Sequence, residues 1–186
     1  MKRAIIAPPA LSPAALDELK AWLGVTTTGD DAELIALLRT ALELCEGFTG
    51  RMPLLSTCED VLPGCAGWQA LSVRPVQTIA GVAALAPDGT RSAVSAAGYE
   101  LDLDAEGGGR VRLLVPISVA TLSSRIVVTF TAGLAPTWDS LPDAIRHGVI
   151  RLAAHHHTNR DAGAGAAEPP ATVAALWRPW RRVRVL

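Results

Sequence analysis

Arg125-Ile-Val-Val-Thr-Phe-Thr-Ala-Gly133, then a loop through Trp138, then Leu141-Pro-Asp-Ala-Ile-Arg-His-Gly-Val-Ile-Arg-Leu-Ala-Ala-His-His-His-Thr-Asn-Arg160-Asp161, is the stretch whose reading decides the fold. Ile126, Val127, Val128, Thr129 and Phe130 are β-branched or aromatic and Gly133 ends their run, so the first part is a strand. The second part is a helix. Pro142 suits a first turn, where the missing N–H costs nothing, Asp143 favours the positive helix start, and Ile145, Val149, Leu152 and His156 recur at helical spacing. A strand and a helix meet here, and the elements before them are expected to share a core at this junction.

Moving toward the N-terminus, the chain from Leu54 to Thr131 is punctuated as strand and turn. Candidate strands are residues 57–62, 69–73, 79–85, 99–103, 110–114 and 125–131, separated by Pro63-Gly64, Pro87-Asp88-Gly89 and Gly107-Gly108-Gly109. Earlier still, Asp30 with Glu33 three residues later resembles a capping box, and Leu34, Leu38, Ala41, Cys45 and Phe48 predict a helix over residues 31–49, closed by Gly50. Ser12 as N-cap and Pro13 as first helical residue predict another over 13–23, with Leu16, Leu19 and Leu23 as its stripe. Residues 1–11 read as a proline-containing lead-in. The pattern gives an α+β fold: a helical bundle of residues 13–23, 31–49 and 142–160, with a small antiparallel β-sheet module (54–131) inserted. Leu38, Phe48, Val149 and Leu152 are expected to face one another.

After the body, residues 1–161, Ala162-Gly-Ala-Gly-Ala-Ala reads as a flexible linker over 162–171, followed by an extended C-terminal tail, 172–186. The chain has 186 residues, 49% of them hydrophobic, enough for one domain or one domain with an appendage. Its formal net charge of −1 makes no overall case for nucleic acid, but Arg178, Arg181, Arg182 and Arg184 make the tail basic on an acidic body. Cys45, Cys58 and Cys65 lack any C-x-x-C spacing and read as free thiols of a reducing compartment. Lys2-Arg3 before Ala4-Ile-Ile-Ala7 imitates a signal peptide, yet Pro8 and Pro9 interrupt it. No run approaches the ~18 uncharged apolar residues of a membrane span, so a soluble protein made in a bacterial cytoplasm is expected, with no membrane partner.

Several short motifs, taken in order, carry a family resemblance. The helix end Glu46-Gly-Phe-Thr-Gly-Arg51 resembles the E-x-x-T-G-R end of a helix in phage head–tail connector proteins. Leu71-Ser-Val-Arg-Pro-Val76, Ala86-Pro-Asp-Gly89, Tyr99-Glu-Leu-Asp102, Phe130-Thr-Ala-Gly133, Leu141-Pro-Asp-Ala-Ile145 and Asn159-Arg160 follow at similar spacing, so the resemblance spans roughly residues 11–161. The family includes adaptors of gene transfer agents. The resemblance implies a structural head–tail connector in the neck of a phage or phage-like particle, forming a ring, dodecameric in the family's manner, between the capsid portal and a tail-side connector or terminator protein. DNA would pass through its lumen without sequence specificity. It implies no catalysis, cofactor or metal.

The tail combines residue types that dominate interface hot spots: Trp177 and Trp180 with Arg178, Arg181, Arg182 and Arg184, ending at Leu186. Portal docking is the favoured role, with nucleic-acid binding and packing on its own body as the other readings. Deletion from Thr172 onward is therefore expected to leave a folded body. His147, Arg151 and His155 share a helix face by four-residue spacing and form a possible lumen or interface surface.

Two rival functions stand beside the connector. A small metal-dependent enzyme would use His155, His156 and His157, but helix neighbours lie about 100° apart, so three in a row cannot converge on one ion. A monomeric DNA-binding module would use the basic tail. Asp102-Leu-Asp104-Ala-Glu106-Gly107 opens like a calcium loop but has Leu113 where a bidentate Glu is required, and reads as an acidic hairpin. Gly107-Gly-Gly109 lacks the helix and Lys of a phosphate loop, and no G-x-S-x-G occurs.

Overall fold

A computed structural model describes residues 2–114, 125–159 and 169–181. Its strands are β1 (Lys2–Ala7), β2 (Ser56–Pro63), β3 (Gln69–Ala70), β4 (Val76–Leu85), β5 (Arg91–Ala93), β6 (Tyr99–Leu103), β7 (Gly109–Leu113) and β8 (Arg125–Ala132). Its helices are α1 (Pro13–Leu23), α2 (Asp31–Thr49), α3 (Asp143–Thr158) and α4 (Ala171–Trp177). The fold is α+β, as its strand and helix patterns predict. The chain divides into a β unit, Met1–Pro9 with Leu55–Gly133, and a helical unit, Ala10–Leu54 with Leu134–Leu186. The deciding stretch is thus shared out: β8 serves the β unit and α3 the helical unit. The single shared core expected at their junction is two cores.

The β unit holds two antiparallel sheets rather than one, a five-stranded sheet in the order β1-β2-β8-β4-β5 and a three-stranded sheet in the order β3-β7-β6. β8 lies in the middle of the larger sheet, pairing with β2 on one side and β4 on the other. That position explains its composition, since Ile126, Val127, Val128 and Phe130 are all buried. β1 corrects the lead-in reading. Pro8 and Pro9 are strand-ending residues here, and Lys2–Ala7 pairs antiparallel with β2. β5 is short and exposed throughout, so no apolar pattern announces it. The predicted strand 69–73 stops at Ala70, because the N–H of Ser72 is taken by the carboxylate of Asp60 at 2.6 Å instead of a neighbouring strand. Ser72 Oγ donates to the same carboxylate at 2.7 Å, which satisfies an acid that is fully buried.

The three adjacent glycines after β6 have a packing reason. A Cβ on Gly107 would stand 2.4 Å from Pro75 Cβ, and one on Gly108 would stand 2.6 Å from Arg74 Cζ. Only bare backbone fits against Arg74-Pro75, whose peptide bond is cis.

The helical unit closes on one cluster that includes Leu19, Leu34, Leu38, Ile145, Val149 and Leu152. Leu38, Val149 and Leu152 meet there as predicted, with Phe48 partly buried against the cluster. Ser12 Oγ caps α1 by accepting from Ala14 N at 3.3 Å. The expected side-chain cap at Asp30 is absent, since its backbone (φ −100°, ψ 5°) lies outside the extended conformation a capping side chain needs. Lys20 and Asp31, 2.7 Å apart, tie α1 to α2 instead. Pro142 precedes α3 as its cap residue, one position earlier than predicted.

α4 changes the reading of the tail. Val173 and Trp177 are buried in the helical core, and Trp177 Nε1 donates to the carbonyl of Ile145 at 3.3 Å. The close approach requires a glycine on α3: a Cβ at Gly148 would lie 2.1 Å from Trp177 Nε1. For Trp177, packing on its own body is the reading that holds. Deletion from Thr172 would open this core.

Candidate interaction surfaces

His147, Arg151 and His155 lie along α3 at the four-residue steps that bring side chains to one helix face. α1 adds an aromatic that sequence reading passed over: Trp22, 51% exposed, meets the His147 ring edge-on at a centroid distance of 5.2 Å. Trp22, Arg151 and His155 then line an open groove of about 420 Å³, together with Pro170 and Thr172 at the start of α4. The α1 stripe read from spacing, Leu16, Leu19 and Leu23, left Trp22 without a role.

His155 is exposed, and its Nδ1 lies 3.0 Å from Asn159 Nδ2. Burial, and then the neighbouring His155, hold the imidazole of His156 below its ordinary pKa. The three histidines diverge around the helix, and among the described residues no group of three or more His, Cys, Asp or Glu side chains is placed to hold a metal. The arrangement offers a cationic and aromatic surface suited to contact with an acidic or aromatic partner.

In the tail, Arg178 and Arg181 are exposed and Trp180 is half-buried against the helical core. Phe48 has two neighbours from the C-terminal segment: the Trp177 ring lies 6.1 Å away between centroids, tilted by 49°, and the Arg181 guanidinium stands 5.2 Å from the Phe48 centroid. Trp177, predicted to reach a partner, has no exposed surface to offer one. Arg182, Arg184 and Leu186 lie outside the described residues, as do 160–168, which include most of the predicted linker.

The acidic hairpin is held by arginines. Asp102 pairs with Arg110 and Glu100 with Arg112 across β6 and β7, while Trp68 receives both guanidiniums, that of Arg112 at 4.9 Å. Asp104 accepts from the N–H of Gly108 and lies 3.5 Å from Arg74, and Leu113 is buried. These carboxylates stabilise the hairpin itself.

The E-x-x-T-G-R segment is a helix stop. Thr49 Oγ1 donates to the carbonyl of Cys45 at 2.7 Å and accepts from Arg51 N at 3.2 Å, and the Gly50 N–H reaches the Glu46 carbonyl at 2.8 Å. It turns the chain out of α2 toward Leu54, which forms an isolated parallel bridge with Ala135, beyond the end of β8.

No protein-family model and no curated protein matches the chain. Solved structures do. Over 100% of its length it is similar to 98% of a chain in the neck of an empty gene transfer agent (GTA) particle computed with C6 symmetry, at 28% identity and a TM-score of 0.78. It is similar at 28% identity and a TM-score of 0.76 to a chain in the virion of a native GTA particle, again covering 100% of itself and 98% of that chain. A chain in the neck of a native GTA particle computed with C12 symmetry matches at 28% identity and a TM-score of 0.74, over 98% and 97% of the two chains. The connector resemblance carried by the motifs between residues 11 and 161 is borne out. Among the described residues, no helix is long and apolar enough to cross a membrane.

Proposed function

We infer that this chain is a structural head–tail connector of a phage-like particle of the gene transfer agent kind, and that twelve copies form a ring in the particle's neck between the capsid portal and a tail-side connector or terminator protein. The observation that carries this is the likeness over the full chain to neck components, which extends through both units rather than one shared motif. Symmetric neck structures support the ring, since a repeated subunit contact closes when the rotation between neighbours divides a full turn.

Within this reading the two surfaces have different work. The C-terminal segment beyond Trp177 docks on the portal, with Arg178 and Arg181 pairing with acidic side chains and Trp180 moving from its half-buried seat into an apolar pocket. Arg182, Arg184 and Leu186 extend the same contact. Trp177 is the anchor that holds the segment's root on the body. The His147, Arg151 and His155 face, with Trp22, meets a neighbouring protein or the lumen, where DNA passes and is touched without regard to sequence.

Particles made without this chain should accumulate as filled heads lacking tails, and addition of the purified protein should restore joining. Normal tailed particles in its absence would overturn the assignment. Portal binding by the full chain should weaken when Arg178 and Arg181 are changed to Ala together, and should become less salt-sensitive. Unchanged binding would place the portal contact elsewhere.

A further inference from the structure

We propose that the groove formed by α1, α3 and the start of α4 docks an acidic, apolar-flanked peptide segment of another protein subunit, whose carboxylate is held by Trp22 and Arg151. This rests on the connector reading above only in supplying a neighbouring protein in the neck.

The helical unit contains its own template for such a contact. Glu18 on α1 accepts from the indole N–H of Trp138 at 3.0 Å, and the same carboxylate oxygen lies 3.7 Å from Arg146 Nε. An indole and a guanidinium thus share one carboxylate. One turn further along both helices, an indole and a guanidinium recur without an acid. Trp22 follows Glu18 by one helical turn on α1, Arg151 follows Arg146 by little more than one on α3, and both line the groove.

The donors at this second position are available. No described residue accepts from the Trp22 indole N–H or pairs with the Arg151 guanidinium, and none of the described residues lining the groove is acidic. Arg151 is half-buried, so its charge is partly withdrawn from water without a counter-charge. An incoming carboxylate gains more from it there than from a guanidinium on an open surface.

The rest of the lining says what flanks the carboxylate. Leu23, Ala154 and Val173 are apolar, and a groove of about 420 Å³ has room for an apolar side chain beside the acid. Tryptophan and arginine around such a recess are the residues on which protein–protein binding energy concentrates. DNA fits less well. A duplex is held by cations spread along successive phosphates, whereas this recess brings one guanidinium and the His155 imidazole to an otherwise uncharged lining. All of these residues belong to the helical unit, so a single copy carries the whole site.

The test follows the indole and guanidinium N–H resonances of the full chain by NMR. The probes are N-acetyl-glutamyl-leucine amide, its glutaminyl counterpart and a short DNA duplex. The glutamyl probe should shift the Trp22 indole resonance saturably, and the glutaminyl probe should bind about tenfold more weakly. Arg151→Gln should abolish that preference. Trp22→Phe, which keeps a ring but no indole N–H, should weaken the glutamyl probe as read at Arg151. Should a variant fail to fold, the comparison of probes on the unaltered chain still decides. Equal affinity for the two peptides, or no saturable shift, would overturn the site. A shift at Trp22 from the duplex and from neither peptide would overturn it in favour of phosphate contact. Failure of the connector reading looks different: a chain that binds the glutamyl probe but does not restore tails to heads would overturn that reading and leave the groove standing, and restored tails without probe binding would do the reverse.

Discussion

The helical unit and the β unit bury side chains in opposite styles. Around α3 the apolar residues converge on one cluster, and even the tail's Trp177 is drawn into it with its indole N–H satisfied by Ile145. The β unit fills the middle of its larger sheet completely at β8 but leaves Ile5, Ile6, Leu101 and Leu103 in the open at its edges. The helical unit covers its large apolar side chains except Trp22, which is 51% exposed. Apolar side chains left at strand edges, as in the β unit, are surface that a neighbouring molecule can cover.

If the helical unit is self-sufficient, its stability should depend steeply on single core side chains. Trp177→Ala should cost about 3–5 kcal/mol by denaturant titration, and removing α4 altogether should leave an unfolded or poorly cooperative chain. A truncated chain with unchanged stability would break the contrast between the units. Leu38→Ala should cost about 2–5 kcal/mol, while a loss of a few tenths would mean that α2 does not present this residue to α3.

The β unit's buried requirement is polar as much as apolar. Asp60→Ala strands the N–H and hydroxyl of Ser72 without their acceptor, and the expected loss is about 1–3 kcal/mol. A neutral result would show that water replaces the carboxylate. Smaller still is Arg181→Ala, which removes an exposed cation–π contact to Phe48 of about 0.5–1 kcal/mol; thermal unfolding should barely move while portal binding weakens.

The last and smallest effect is a pH dependence of the helical unit. His156 has its pKa lowered by burial, so the folded state resists its protonation more than the unfolded state does. The stability this represents is present in full above about pH 6.5 and declines as the pH falls below that value. His156→Gln should flatten that part of the profile, and an unchanged profile would assign the dependence to other groups.

Much of this was legible because periodicity reports burial. Leu19, Leu34, Leu38 and Val149 recur at helical steps, and Val127 and Val128 sit in a β-branched run, so helices and central strand could be read from spacing alone. Edges escape that signal. β1 looks like a proline-broken leader and β5 is short and exposed throughout, because neither needs an apolar face toward its own unit. The surface residues divided similarly. His147, Arg151 and His155 follow from one helix's geometry, whereas Trp22 joins them from α1 by a tertiary contact that spacing cannot supply. Trp177 was misplaced because an Arg- and Trp-rich segment after a Gly/Ala stretch has the composition of a free arm. The decisive counter-signal, Gly148 on another helix, has meaning only once the two are seen together.

The chain passes between the two units three times, after Pro9, after Leu54 and after Gly133. For a protein synthesised from its N-terminus, that threading sets a schedule. β1 emerges first but must wait for β2, and α1 and α2 emerge next but must wait until α3 and α4 have followed the entire β unit. The β unit can therefore complete itself once Gly133 is made, while the helical unit stays open until α3 and α4 have been made. A nascent chain that has not yet reached α3 and α4 lacks the side chains that bury the stripes of α1 and α2, and its folded β unit is joined to helices that have no closed core.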